Sequence, residues 1–164
     1  MRESPYPLVS IQDALATILS QVAPLTVLNT PLSEALGQVL AQDAYATDAQ
    51  PPFPAALVDG FALIAADGDR SRRLIGAQMA GHVTDLAVVP GTAVRITTGA
   101  PIPSGADAVV KVEQADEVDG QVTPHPLQGL RPGLGIRPIG SDVQAGERVL
   151  AAGQHLGPAE LGVL

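Results

Sequence analysis

The 164-residue sequence contains no cysteine. Disulfides, thiolate metal sites and cysteine nucleophiles are therefore excluded. Aromatic residues make up only 2% of the chain, so smaller aliphatic side chains must fill any core and few rings can stack on bases. The sequence has nine basic and 17 acidic residues, which gives a formal charge of -8. Because phosphate-backbone recognition needs clustered lysine and arginine, nucleic-acid binding is not expected, and anionic lipid would be repelled.

Long apolar runs are also missing, so no segment is expected to span a bilayer. The start, MRESPYPLVSIQDALATILSQ, carries Glu3 and Asp13 and lacks the clean apolar segment of a signal peptide. The hydrophobic fraction of 46% is nevertheless sufficient for a folded core. We therefore expect a soluble, cytoplasmic protein of one domain or two small lobes.

Both ends of the chain carry helical patterns. SIQDALATILSQ has apolar residues at helical spacing, with Ser10 as its N-cap and Asp13 in its first turn. PLTVLNT then predicts a short strand, PLSEALG one or two helical turns closed by Gly37, and QVLAQDAYA another strand. GPAELGVL predicts a helix beginning near Pro158. Because that helix ends after one apolar turn, either its last turn frays or the sequence is one piece of a longer protein.

From about residue 46 to 130 the pattern is that of short strands. FALIA, RRLIGAQM, LAVV, AVRIT, DAVVKVEQ and EVDGQVTP are β-like runs separated by turns such as ADGD, VPGT and PSGAD. The Asp119-Gly120 pair is a hairpin signal. The prediction is an α+β, β-rich fold with a compact barrel-like or sandwich-like lobe.

Standard catalytic motifs are absent from the sequence. There is no Walker loop, G-x-S-x-G, H-E-x-x-H or G-x-G-x-x-G before a helix. The three histidines, His82, His125 and His155, lie far apart without metal-ligand spacing, so each is interpreted as a surface residue.

Three glycine-bearing stretches remain as candidates for chemistry. In VDGFA, Asp59 and Gly60 form either a simple turn or a placed carboxylate. In RITTGAPIPSGAD, hydroxyls and backbone N–H groups could hold an anion, or the stretch is a strand followed by a rigid loop. In RPIGSDVQAGERVL, Arg137 and Asp142 could pair across a Gly-Ser turn, and such a pair is structural by default.

Taken in this order, the three stretches are far more specific. PPFPAALVDGFA, RITTGAPIPSGADAVVKVEQ and RPIGSDVQAGERVLAAGQHLGPAELGVL resemble the N-terminal region of the MoeA-type molybdopterin molybdenumtransferases, whose eukaryotic relative is the gephyrin E domain. The likeness extends from the SIQDALATIL helix to the last residue. The middle stretch is the strongest, because an arginine, the T-G-A-P core, a second proline and G-A-D-A-V-V all occur in place.

The resemblance implies a two-lobed architecture. An elongated N-terminal lobe would comprise residues 1–45 and 131–164, with a β-rich lobe, residues 46–130, inserted between them. Family members are elongated homodimers and continue into an α/β pterin-binding domain and a small β domain, which the 164 residues do not include. The active site of the family lies between the α/β domain of one subunit and the β-rich lobe of the other.

The resemblance also implies an activity and its residues. Such enzymes insert molybdate into adenylylated molybdopterin, with release of AMP and with magnesium involved. Asp59 and Thr98 match the family positions that reach the cleft and are the expected catalytic residues, with Asp59 the expected magnesium ligand. The expected substrate-binding residues are Gly60, Gly99, Arg95 and Arg137. By themselves the 164 residues are expected to be inactive.

Part of the first stretch differs from the family pattern. The loop usually reads P-P-F-D-N-S-A-M-D-G-Y-A, and here PAALV (residues 54–58) replaces its middle while Phe61 replaces the tyrosine. Ser141 stands where an acid is common. These changes leave open an alternative, a stand-alone, non-catalytic binding or dimerisation module that keeps the scaffold and docks on other molybdenum-cofactor proteins.

Overall fold

The computed structural model describes residues 8–126 and 129–164. The chain divides into two compact units, the first formed by Met1–Gln42 with Ala152–Leu164 and the second by Asp43–Ala151. The second unit is therefore inserted, in sequence, between the two halves of the first. No helix in the described ranges is both long and apolar enough to cross a membrane.

The boundary after the inserted unit differs from the one expected from sequence, which placed residues 131–151 with the chain ends. Two short antiparallel pairings account for the difference. Ala55–Ala56 pairs with Ile136–Arg137, and Ala44–Tyr45 pairs with Arg148–Leu150. Both pairings attach the stretch before residue 152 to the second unit.

The first unit contains the two predicted helices, α1 (Ile11–Gln21) and α2 (Pro158–Val163), and a 3₁₀ turn at Leu32–Glu34. The hydroxyl of Ser10 accepts the N–H of Asp13 at 3.1 Å, which is the predicted N-cap. Residues 37–40 run alongside residues 153–156 through backbone hydrogen bonds such as Gly37 N to Leu156 O, 2.8 Å.

The strand predicted for PLTVLNT is wrong. Residues 24–30 adopt no regular secondary structure, and the Leu25 side chain is 93% exposed. The stretch has the composition of a strand, but a strand also needs a neighbour for its backbone groups, and among the described residues none pairs with it. Whether a stretch finds a pairing partner depends on parts of the chain that are distant in sequence, so the local composition of residues 24–30 could not show that they would remain unpaired.

The described residues of the second unit, 43–126 and 129–151, form ten strands and two 3₁₀ turns. The strands are β1 (Ala44–Tyr45), β2 (Ala55–Ala56), β3 (Gly60–Leu63), β4 (Arg72–Gln78), β5 (Thr92–Ile96), β6 (Ala108–Lys111), β7 (Ala115–Val118), β8 (Gln121–Pro124), β9 (Ile136–Arg137) and β10 (Arg148–Leu150), and the turns are Ala65–Asp67 and Val112–Gln114. The prediction of a β-rich α+β fold is confirmed. The predicted run LAVV forms only an isolated bridge, Ala87 with Ser104.

Six of these strands form one mixed sheet in the order β6-β3-β5-β4-β8-β7. Among the described strand pairs of this sheet, β4 and β5 are parallel and the others are antiparallel. The β7–β8 hairpin turns at Asp119 and Gly120, which both have positive φ, 50° and 72°, as the Asp-Gly signal predicted.

The sheet curls into a half-barrel. Two strands, β4 and β8, separate β5 from β7. In a flat sheet that separation would be roughly 14 Å. Yet the side chain of Arg95 on β5 pairs directly with that of Glu117 on β7.

Strand β3 is buried on both faces, which explains why GFAL is continuously apolar. Phe61 and Leu63 pack into one core cluster with Val110 and Val122. Ala62 faces a second cluster, formed with Ala56, Ile96, Ala100 and Val109. The second cluster includes Ala56 and Ala100, which lie three residues before Asp59 and two residues after Thr98 in the sequence.

Candidate functional site

Register brings two of the three motifs together. Strands β3 and β5 are antiparallel neighbours, with Gly60 opposite Ile96. The residue that precedes β3 and the residues that follow β5 therefore lie at the same edge of the sheet. The residue that precedes β3 is Asp59, and the residues that follow β5 are Thr97 and Thr98.

Asp59 and Thr98 are in direct contact at this edge. The Thr98 backbone N–H donates to Oδ1 of Asp59 at 2.7 Å, and the Thr98 hydroxyl donates to the same oxygen at 2.8 Å. Both residues are exposed to solvent. Asp59 thus has a partner and open water at once, and it lies in a bend, whereas Gly60 is already the first residue of β3.

These contacts keep Asp59 ionised. The Thr98 N–H, then the Thr98 hydroxyl, hold the pKa of the Asp59 carboxyl below its ordinary value. Slight desolvation opposes this effect, and the charge of Arg95 adds to it. The site therefore presents a fixed negative charge.

The loop after β5 has its N–H groups committed to protein acceptors. Gly99 N donates to Ala56 O at 2.9 Å, Ala100 N to Thr97 O at 3.0 Å, and Thr97 N to Gln78 O at 3.2 Å. With Thr98 N engaged by Asp59, this arrangement differs from a nest of free N–H groups around an anion. The T-G-A-P core acts here as a rigid loop that orients Asp59.

Gly60 serves the close approach of two strands. A Cβ built on it would lie 1.9 Å from the carbonyl oxygen of Val110 on β6. Only glycine lets β3 pair with β6 at this point, immediately after Asp59.

The two arginines of the motifs are engaged in ion pairs. Arg95 pairs with Glu117, and its guanidinium lies 5.6 Å from the centre of the Phe61 ring. Arg137 pairs with Asp142 at 3.3 Å, both side chains being 47% exposed. That pair across the Gly-Ser turn is the one expected from sequence. Within the described part of the chain, no hydrogen bond or ion pair joins either arginine to Asp59 or Thr98.

Asp59 is the carboxylate that the described residues place beside Thr98 at this edge, where a metal ion could bind. In residues 8–126 and 129–164, no group of three or more acidic, histidine or cysteine side chains could hold a metal ion. Oδ2 of Asp59 receives no hydrogen bond from the described residues. Mg²⁺ is commonly bound by one or two carboxylates together with waters and substrate phosphates. Asp59 therefore fits a magnesium site completed by substrate oxygens.

The predicted surface histidines are all exposed.

Sequence reasoning missed Gln78 at the end of β4. Its side chain is only 2% exposed and hydrogen-bonds to Pro101 and Thr84. A polar residue at the end of the run RRLIGAQM was the available signal, but the sequence does not show that it faces inward.

Comparison with known families decides the relationship. The family model of the MoeA N-terminal region (domain I and II) matches residues 9–164. The chain belongs to this MoeA N-terminal family. Gephyrin of Dictyostelium discoideum is 31% identical over 180 residues, which cover 99% of this chain and 25% of gephyrin. A molybdopterin molybdenumtransferase of Synechococcus elongatus is 37% identical, over 94% of this chain and 40% of the enzyme.

Solved MoeA structures have the same fold. A crystal structure of the molybdopterin biosynthesis MoeA protein from Pyrococcus horikoshii superposes with a TM-score of 0.86 and 33% identity, covering 96% of this chain and 43% of that protein. The chain thus spans between a quarter and a little over two-fifths of the length of these relatives.

Proposed function

We propose that these residues are the N-terminal part of a molybdopterin molybdenumtransferase of molybdenum cofactor biosynthesis. In that enzyme Asp59 and Thr98 would take part in the insertion of molybdate into adenylylated molybdopterin. The observation that carries the proposal is the contact of Thr98 N–H and hydroxyl with Oδ1 of Asp59. It joins two of the three stretches that resemble the family.

The chemistry proposed for the site follows from the two carboxylate oxygens. Oδ1 is fixed by Thr98, while Oδ2 remains available to a ligand. Magnesium bound there would reduce the repulsion between the negatively charged oxygens of phosphate and molybdate. Asp59 holds the negative charge in place, and Thr98 orients it.

The proposal includes a homodimer with an intersubunit site and a cytoplasmic location. Molybdate and phosphate are anions, but Arg95 and Arg137 are both engaged by acidic side chains. Cationic groups from another domain or subunit would then be needed to bind the anions. The lack of cysteine is compatible with the cytoplasm.

The test is Asp59→Asn in the full-length protein that carries these residues. Asparagine keeps an Oδ1 acceptor for both Thr98 donors, but it removes the charge and replaces the open Oδ2 by an amide NH2 that cannot bind a metal ion. Cofactor production in a strain lacking its molybdenumtransferase should fall roughly 100-fold, as when a preorganised polar group is removed from an active site. Purified variant and wild-type proteins should both be folded, and the urea midpoint of the variant should fall only slightly, because the Asp59 carboxylate is exposed.

Asp48→Asn is the matched control, because Asp48 is an exposed carboxylate whose contact is with the adjacent Thr47. It makes the same change in net charge outside the three motifs and should leave cofactor production unchanged. Full production by Asp59→Asn would remove Asp59 from the mechanism, whereas a wild-type protein that fails to restore production would favour the non-catalytic module.

A further inference from the structure

The buried side chain of Gln78 bridges two segments beyond its own strand. Its Nε2 donates to the carbonyl of Pro101 at 3.2 Å. Its Oε1 accepts the backbone N–H of Thr84 at 3.0 Å and also the Thr84 hydroxyl. Burying an amide is costly unless its hydrogen bonds are made, and here both ends of the amide are satisfied.

The same strand end also contacts the beginning of the Thr98 loop. The backbone carbonyl of Gln78 accepts Thr97 N at 3.2 Å, and Ala80 N donates to the Thr97 hydroxyl at 3.0 Å. Together with the Pro101 contact, these bonds attach residues 97–101 to the end of β4 at both termini of the loop. Thr98 lies between the two attachment points.

The opposite flank of the loop is fixed as well. Gly99 N donates to Ala56 O, and Ala56 N donates to Ala100 O, each at 2.9 Å. The loop is therefore clamped between the segment before Asp59 and the end of β4. The contacts to Ala56 and the bond from Thr97 N to the Gln78 carbonyl are backbone contacts that most residues could make. The Ala80 contact requires the Thr97 hydroxyl, and the Pro101 contact requires the Gln78 side chain.

We propose that Gln78 is a positioning residue for the Asp59–Thr98 pair, holding the loop so that both Thr98 donors converge on Oδ1 and leave Oδ2 open. The importance of Gln78 for catalysis rests on the proposed function, whereas its effect on the position of the loop does not depend on that function. Methionine or leucine could fill the same space, yet would leave the Pro101 carbonyl and the Thr84 N–H without partners. The loop could then shift away from Asp59.

The test is Gln78→Met in the 164-residue chain, observed by NMR at fixed pH. The Thr98 amide should exchange with water roughly tenfold faster, as expected when a constraint about as strong as one hydrogen bond is lost. Its proton resonance should also move upfield, because its bond to the carboxylate weakens. Core amides of β3 and β5 should change together and only as far as the global stability changes.

Thr92→Val is the matched control. Thr92 is another buried polar residue of the same sheet, 6% exposed, and its hydroxyl donates to Val89 O at 2.8 Å. This variant should lower global stability without a separate effect on the Thr98 amide. If Gln78→Met does not fold, Thr84→Val removes one of the contacts to Gln78 and should give a smaller change in the same direction.

A Gln78→Met protein that folds and leaves the Thr98 amide unchanged relative to the core would overturn the proposal. So would an equal effect of Thr92→Val at Thr98. Neither measurement involves molybdenum chemistry. If Asp59→Asn retains full cofactor production while Gln78→Met frees Thr98, the positioning of Thr98 by Gln78 stands and the proposed role of Asp59 in catalysis fails.

Discussion

Gly60→Ala separates a structural from a substrate-binding role for the glycine next to Asp59. The added Cβ would lie 1.9 Å from the carbonyl oxygen and 2.8 Å from the carbonyl carbon of Val110. A carbon and a carbonyl oxygen come no closer than about 3.3 Å in ordinary sheet contacts. The two strands would therefore have to move apart by roughly 1 Å or more at this point to restore an ordinary carbon–oxygen distance.

The cost can be estimated from the contacts at that end of the β3–β6 pairing. Gly60 faces Lys111, and Val112 N donates to Asp59 O at 3.1 Å immediately beyond. The Val110 carbonyl belongs to a fully buried residue. Losing about two backbone hydrogen bonds, at about 1 kcal/mol each, and leaving buried groups unpaired gives a destabilisation of about 3–4 kcal/mol. That is a large part of the total stability of a typical domain, about 5–15 kcal/mol.

Urea unfolding measured by circular dichroism provides the assay, with the midpoint falling at constant slope. Gly91→Ala is the control, because Gly91 has φ of +77° and no atom within 4 Å of a built Cβ. It should cost only the left-handed strain, about 1–2 kcal/mol. A Gly60→Ala protein as stable as wild type would refute the steric argument, and lost activity in such a protein would return Gly60 to the substrate-binding residues.

Two further predictions concern charges. Thr98→Val removes the hydroxyl donor and should raise the pKa of Asp59 towards 3.8, as followed by carboxyl NMR shifts. Because the folded-state pKa of Asp59 is lowered, its contribution to stability is present above pH 3.8 and is lost as the pH falls through the folded value, so wild type should lose more stability than Thr98→Val on acidification. Separately, a double-mutant cycle of Arg95→Met and Glu117→Gln should give a coupling of at most about 1 kcal/mol in urea unfolding, since the pair is partly exposed. A larger coupling would mean that the ion pair holds the curl of the sheet.

Strands with local signals were predictable from sequence. The Asp119-Gly120 turn fixes the β7–β8 hairpin, and the apolar runs of β3, β5 and β6 are long enough to identify. Pairings between distant residues were not predictable, because they depend on which backbone edges meet. The unpaired stretch 24–30 and the attachment of β9 and β10 to the second unit both follow from such pairings.

The candidate site shows the same division. The order of the motifs identified Asp59 and Thr98, but only the register of Gly60 with Ile96 explains why they meet. The burial of Gln78 could not be predicted from sequence, because a polar residue after an apolar run is not expected to face inward. The sequence interpretation of the T-G-A-P loop as a source of donors also could not anticipate that Ala56 and Asp59 would accept them.

The resulting charge distribution limits what this edge of the sheet can bind unaided. Asp59 is ionised and exposed, and the neighbouring N–H groups of the loop are engaged by protein acceptors. The arginines of the other motif positions are paired with Glu117 and Asp142. An oxyanion approaching this edge would meet a like charge and no free backbone N–H from residues 97–100, whereas a cation or a substrate hydroxyl would meet the open Oδ2. Under the proposed function, the positive groups that bind molybdate and phosphate must therefore be brought to Asp59 by a metal ion or by another part of the assembly.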